Sequence, residues 1–264
     1  MIRLLFCDLD GTLWEDKNGT IIIKDDDIQS IKRLIDNGIK FAIATGRGKD
    51  AGKIIKRKLS IDNLDMICLN GSFVYQNDKI VKTWTYKFDL IINLYNELKN
   101  EADLIIASEL ENNERIALLK NTYDSHYLWK NVKIIGESDF NQFIDKNVLK
   151  TTIIIKNESD RDCILRTLKV NGYELKSIIN QLGNIELVAP NVSKGDAIVW
   201  YCQNNSMSLN EVAFIGDDLN DIEAINYVNY SYAMINAKEI VKNEAYKTVQ
   251  SVTEAINDII KMGV

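Results

Sequence analysis

Short apolar runs alternate with amphipathic stretches through the first third of the chain, and few folds accept that pattern. Residues 2–7 form a nearly continuous apolar run broken only by Arg3, as expected of a parallel strand covered on both faces. Residues 25–37 carry Ile28, Ile31, Leu34 and Ile35 on one helical stripe, and Asn37-Gly38 supplies a helix-ending signal. Residues 41–44 and 66–69 are further strand candidates, with a helix over 46–59 between them. Strand, helix, strand, helix, strand predicts an α/β open parallel sheet with right-handed crossovers.

The middle of the chain follows another rule. Residues 79–86, 104–107, 115–119, 132–135, 151–156 and 173–179 have strand composition, and helices are expected over 88–98 and 159–170. Hairpin-like pairs beside helices make an α+β unit of roughly a hundred residues, an ordinary domain size. The last third returns to the first pattern, with helices over 193–203, 219–225 and 252–261 and strands over 211–215 and 232–234. The economical architecture is a doubly wound domain made of residues 1–82 and 188–264, with a second domain inserted over 83–187.

Composition removes several function classes. The 264 residues carry 32 Lys+Arg against 38 Asp+Glu, a net charge of −6, which argues against nucleic acid or an anionic membrane as the partner. No apolar run approaches the ~20 residues that cross a bilayer. The apolar stretch at residues 4–7 meets Asp8 too early for a secretory signal. Cys7, Cys68, Cys163 and Cys202 form no close pair, so free thiols in a reducing cytoplasm are expected rather than disulfides or zinc. With His126 the single histidine, the chemistry must run mainly on carboxylates.

Open α/β sheets bind ligands at the carboxyl ends of their strands, and there the informative residues collect. The first strand ends in Asp8-Leu9-Asp10-Gly11-Thr12, where two acids two apart in extended backbone address one spot, although Asp-Gly is equally a turn signal. The second ends in Ala44-Thr45-Gly46-Arg47, which offers a hydroxyl and backbone N–H groups to an anion, or else a plain helix N-cap. The strand over 211–215 ends in Gly216-Asp217-Asp218-Leu219-Asn220-Asp221, whose carboxylates call for a cation unless they form a solvated acidic face. Lys194 opens a helix after Ser193, with Asp196 in a capping arrangement; alone it would be a surface lysine. Together these features predict a phosphate and a divalent cation, and oxygen ligands without a histidine cluster favour Mg2+ over zinc.

The four motifs, in this order, resemble the haloacid dehalogenase superfamily of phosphohydrolases, and most closely its Cof-type subfamily. Leu69-Asn70-Gly71-Ser72 and Ala233-Met234-Ile235-Asn236-Ala237 extend the resemblance. Cys7, Ser72, Ile235 and Ala224 depart from the usual pattern without removing a catalytic group. The resemblance implies a Rossmann-like core, a cap domain inserted between the second and third motifs, and Mg2+ as cofactor. Asp8 would be the nucleophile that becomes an aspartyl-phosphate, and Asp10 the acid that protonates the leaving oxygen and later activates water. The Asp8 and Asp217 carboxylates and the Asp10 carbonyl would hold Mg2+, with Asp221 supporting from outside. Leu9, Thr45, Gly46, Lys194 and Asn220 would bind the phosphoryl group.

The expected activity is hydrolysis of a small phosphorylated metabolite of the sugar-phosphate kind. The alternatives are phosphoryl transfer to a second hydroxyl, as in the phosphomannomutases, and a non-catalytic sensor of a phosphorylated ligand. A dinucleotide-binding oxidoreductase is set aside because no G-x-G-x-x-G follows the first strand. Trp84, Tyr86, Tyr123, Tyr127 and Trp129 are candidates for lining a sugar site or for ordinary core and surface positions, and His126 for an exposed cap residue. The partner is a small phosphate ester, and the oligomeric state is left open, a monomer included.

Overall fold

A computed structural model describes residues 1–17, 20–100, 105–112, 114–119, 132–155, 157–180 and 182–263. The chain divides into two units, Met1–Lys82 with Val192–Val264, and Thr83–Asn191.

The first unit is built on an eight-stranded sheet. In spatial order its strands are Lys247–Val249, Tyr230–Met234, Val212–Gly216, Leu4–Cys7, Lys40–Ala44, Asp65–Cys68, Phe73–Gln76 and Lys79–Thr83. The first six run parallel, with Phe6 level with Phe214 on one side and Ala42 on the other. Every residue of Leu4–Cys7 is buried, which is why that strand is apolar without alternation. The helices Asp25–Asp36 and Val252–Gly263 pack together, and so do Lys194–Asn204 and Ile222–Tyr227. Asp27 ties the first pair, accepting from the Thr253 N–H and hydroxyl, both at 2.8 Å.

Phe73–Gln76 runs antiparallel to Asp65–Cys68, so the sheet is parallel-dominated rather than wholly parallel. Asn77 and Asp78, at φ +52° and +60°, make the two-residue turn to Lys79–Thr83. Positive φ at both central residues is what a two-residue hairpin turn demands, and Asn and Asp tolerate it better than most side chains. The single strand expected over 79–86 is therefore two. Lys79–Thr83 closes the first sheet, while Tyr86–Lys87 pairs with Asn147–Ile154 in the second.

The second unit holds a seven-stranded sheet in the order Lys133–Ile135, Arg115–Leu119, Ile105–Leu110, Asn147–Ile154, Ile185–Val188 and Lys176–Ile179, with Tyr86–Lys87 beside Asn147–Ile154. Its pairings are antiparallel except that between Arg115–Leu119 and Lys133–Ile135. The helices Asp89–Leu98 and Glu158–Val170 pack against each other. Val188 still pairs with Lys176, so this unit runs on to Asn191 rather than ending at 187 as expected. Tyr86 is buried and its hydroxyl donates to Thr151 Oγ1 at 2.7 Å, which makes it a core residue, and Trp84 is half-buried. Tyr123, His126, Tyr127 and Trp129 lie outside the described residues. The four cysteines carry free thiols, and no helix among the described residues is long and apolar enough to cross a membrane.

Candidate active site

The strand Leu4–Cys7 hands over to a tight loop in the first unit. The Asp8 N–H still bonds the Ile215 carbonyl at 2.9 Å, so Asp8 stands where two neighbouring parallel strands end. The Leu9 carbonyl then accepts the N–H groups of Thr12, Leu13 and Trp14 at 3.2, 3.0 and 3.0 Å. Gly11 sits at φ +82°, and a Cβ there would lie 2.3 Å from Asp217 Oδ2. Only glycine fits that place. Thr12 Oγ1 donates to Asp217 Oδ1 at 2.8 Å, so Asp10-Gly11 makes a turn and part of the site at once.

Lys194 is no surface lysine: its side chain is 1% exposed. Ser193 caps the helix Lys194–Asn204, accepting the Asp196 N–H at 3.0 Å, and this fixes the first turn from which Lys194 projects. The Lys194 Nζ donates to Asp8 Oδ1 and to Asp221 Oδ1, both at 2.6 Å. The other Asp221 oxygen accepts the N–H groups of Asp217 and Asp218 at 2.9 and 3.1 Å. Asp217, Asp218 and Asp221 are all buried, which rules out a solvated acidic face. Lys238 Nζ reaches Asp218 Oδ1 at 2.8 Å, and Asn236 Nδ2 donates to the Gly11 carbonyl at 3.1 Å.

Thr45 is buried at the end of Lys40–Ala44 and its Oγ1 accepts the Arg47 N–H at 3.1 Å. The next helix begins only at Asp50, after Lys49, so Thr45 is not its N-cap. Asn70 packs over Gly46: its N–H bonds the Thr45 carbonyl at 3.0 Å, and its Oδ1 accepts from Asn220 Nδ2 at 2.9 Å. Leu69, Asn70 and Gly71 take φ of +51°, +57° and +104° in succession, a costly backbone for the two that are not glycine. A Cβ on Gly71 would lie 2.2 Å from the Ser193 carbonyl, so this strained loop abuts the start of the Lys194 helix. Sequence reasoning did not select Thr12, Trp14 or Asn70 as site residues. For Asn70 the signal was present, because Asn-Gly follows the third parallel strand at the same end of the sheet.

The Asp10 carboxylate has partners of its own, apart from this cluster. Arg47 takes both its oxygens, Nε to Oδ2 at 2.7 Å and Nη2 to Oδ1 at 2.6 Å, and Trp14 Nε1 donates to Oδ1 at 3.0 Å.

The electrostatics follow from burial. Desolvation pushes the Asp8 carboxyl well above the ordinary range, the Lys194 ammonium pulls it back, and Asp221 and Asp217 push it up again. Burial is also the main reason that Asp217 is pushed up to about 7. Burial works against the charge of Lys194, yet Asp221 and Asp8 outweigh it and hold the ammonium above its usual value. Asp8, Asp217 and Asp221 each bring a carboxylate oxygen within 4.8 Å of the others. Three carboxylates against one ammonium leave two formal negative charges, which one divalent cation would balance. An all-oxygen donor set suits Mg2+. Asp221 already accepts from Lys194 and two N–H groups, so Asp8 and Asp217 are the better fitted to touch an ion.

The family model for haloacid dehalogenase-like hydrolases matches residues 5–260. A relative is the 5-amino-6-(5-phospho-D-ribitylamino)uracil phosphatase YcsE of Bacillus subtilis, 26% identical over 98% of this chain and 95% of its own length. Among solved structures, a haloacid dehalogenase-like hydrolase from Bacteroides thetaiotaomicron superposes with a TM-score of 0.80 at 22% identity, over 98% of this chain and 100% of the other. The subclass IIB sugar phosphatase BT4131 does so with 0.77 at 19%, over 99% of each chain. At these identities the two structures speak for the fold.

Proposed function

The chain belongs to the haloacid dehalogenase-like hydrolases, and from that membership we propose that it is a Mg2+-dependent phosphatase acting through an aspartyl-phosphate on Asp8. The observation that carries this reading is the buried bridge from Lys194 to Asp8 and Asp221. Lys194 occupies Asp8 Oδ1, and Asp8 Oδ2 has no hydrogen-bond partner among the described residues, so one oxygen of the nucleophile is held and the other is available. Asp8, Asp217 and the Asp10 carbonyl would hold Mg2+, with Asp221 bracing Lys194 from outside. When bound, the ion neutralises negative charge on the phosphate and the carboxylates.

The residues of the chain do the rest. Thr45, the Gly46 and Leu9 N–H groups, Asn220 and Lys194 hold the phosphoryl oxygens. Asp8 Oδ2 attacks phosphorus, the bond to the leaving oxygen breaks, and Asp10 gives that oxygen a proton. Water then attacks the phosphoaspartate, Asp10 takes the water proton, and phosphate and the Asp8 carboxylate are released.

The substrate we infer is a small polyhydroxylated phosphate ester, a sugar or sugar-alcohol phosphate. The Bacillus subtilis relative is named for a phosphate carried on a ribityl chain, and BT4131 for a sugar phosphatase. The inserted unit would act as the cap that selects the leaving group, in a protein of the reducing cytoplasm that suits its free thiols. Phosphate release from a panel of such esters with Mg2+ tests the reading. Asp8→Asn should lower it at least about a thousandfold, and a fully active Asp8→Asn protein would refute the mechanism. Label recovered on a second sugar rather than in water would make the enzyme a phosphotransferase.

A further inference from the structure

Asp10, to which the reading above gives the proton-transfer role, is held by a pair of side chains that themselves stack. The Arg47 guanidinium carbon lies 5.1 Å from the centre of the Trp14 ring, while both side chains donate to the same carboxylate oxygen, Oδ1. The exposures differ in a telling way. Trp14 is 2% exposed, whereas the side chains of Arg47 and Asp10 are 42% and 36% exposed. A bidentate arginine fixes a carboxylate relative to itself, but a half-exposed pair can swing as one body. The indole ties that body to the core: its N–H holds the carboxylate and its face carries the guanidinium.

The backbone explains how Trp14 gets there. Gly11 N–H bonds the Trp14 carbonyl at 3.3 Å and Trp14 N–H bonds the Leu9 carbonyl at 3.0 Å, so the loop doubles back and lays the indole under Asp10. An aliphatic side chain would fill the same apolar space. What tryptophan adds is the N–H.

We infer that Trp14, with Arg47 stacked on it, is a positioning residue that aims the Asp10 carboxyl at the leaving oxygen. This rests on the phosphatase reading and deepens it. Aim matters only where a proton must reach the leaving group as its bond to phosphorus breaks. Alkoxides leave badly without that proton, whereas nitrophenolates leave well without it.

The test is kcat/KM, with Mg2+, for phosphate monoesters running from 2,4-dinitrophenyl to simple alkyl, in the wild type, Trp14→Phe and Arg47→Gln. This parameter covers the steps up to departure of the leaving group, so it isolates the proton donation. Trp14→Phe should lower kcat/KM about tenfold for an alkyl ester and change it less than about twofold for the dinitrophenyl ester. Plotted against leaving-group pKa, the line becomes steeper. Arg47→Gln, at a half-exposed position, should steepen it as well, and decides the matter if Trp14→Phe does not fold. Lines parallel to the wild type, at whatever height, or shallower ones, overturn the inference while leaving the phosphatase standing. A wild type that hydrolyses none of the esters overturns both.

Discussion

At the scale of single residues the cluster around Lys194 trades stability for readiness. Lys194→Met would leave Asp8 and Asp221 buried without their cation, and the metal-free protein should lose on the order of 3 kcal/mol in chemical denaturation. Asp217 is expected to show the opposite balance. Burial raises its folded-state pKa to about 7, so between roughly pH 4, its ordinary unfolded value, and pH 7 the folded protein keeps a proton that the unfolded chain releases. Its contribution to stability therefore falls as pH rises through that window. Asp217→Asn carries no such charge. Thermal melts in EDTA at pH 8 should place this variant above the wild type, by on the order of 1–3 kcal/mol, while added Mg2+ stabilises it less. A variant no more stable than the wild type would mean that Asp217 bears no burial penalty.

At the scale of elements, the helix Lys194–Asn204 presents Lys194 at its start and is fastened near its other end by Tyr201. The Tyr201 hydroxyl donates to Asp65 Oδ2 at 2.6 Å, and Lys40 Nζ reaches the same carboxylate oxygen at 2.5 Å and the hydroxyl at 2.9 Å. Two strands and a helix thus share one polar knot, buried at Asp65 and Tyr201 and open to solvent at Lys40. Tyr201→Phe should cost about 1–2 kcal/mol in denaturant melts, since Asp65 then loses a donor while staying buried. Little of this knot could be read beforehand, because Lys40, Asp65 and Tyr201 lie far apart in sequence and each has an ordinary local context. The central strands were legible because burial on both faces forces unbroken apolar runs, as in Leu4–Cys7. The edge hairpin around Asn77-Asp78 was not, since its strands are short and neither shows a clean alternation of buried and exposed residues. Within the site, Asp8, Thr45, Lys194 and Asp217 stood out as polar residues at strand or helix ends. Trp14 did not, because an indole at the edge of an apolar loop looks like core until its N–H partner is known.

At the scale of the whole molecule, the acidic cluster draws entirely on the first unit, so any stabilisation by Mg2+ bound at that cluster should stay there. At a Mg2+ concentration a hundred times its Kd, the gain is about 2.7 kcal/mol. Hydrogen exchange with and without Mg2+ should show added protection at the ends of Leu4–Cys7 and Val212–Gly216 and little change in Asn147–Ile154. Protection spread equally over both units would argue against the ion binding at this cluster. The first unit is also discontinuous: Leu4–Cys7 lies between Lys40–Ala44 and Val212–Gly216, so a central strand made early waits for a neighbour made late. On the ribosome, residues 83–191 emerge as an unbroken stretch with every strand partner of their own sheet at hand, while the nascent Asp8 still lacks Lys194, Asp217 and Asp221. Interrupted translation before residue 194 therefore leaves Asp8 without its Lys194 counter-charge. The bridge from Lys194 to Asp8 and Asp221 can close only once residue 221 has been made.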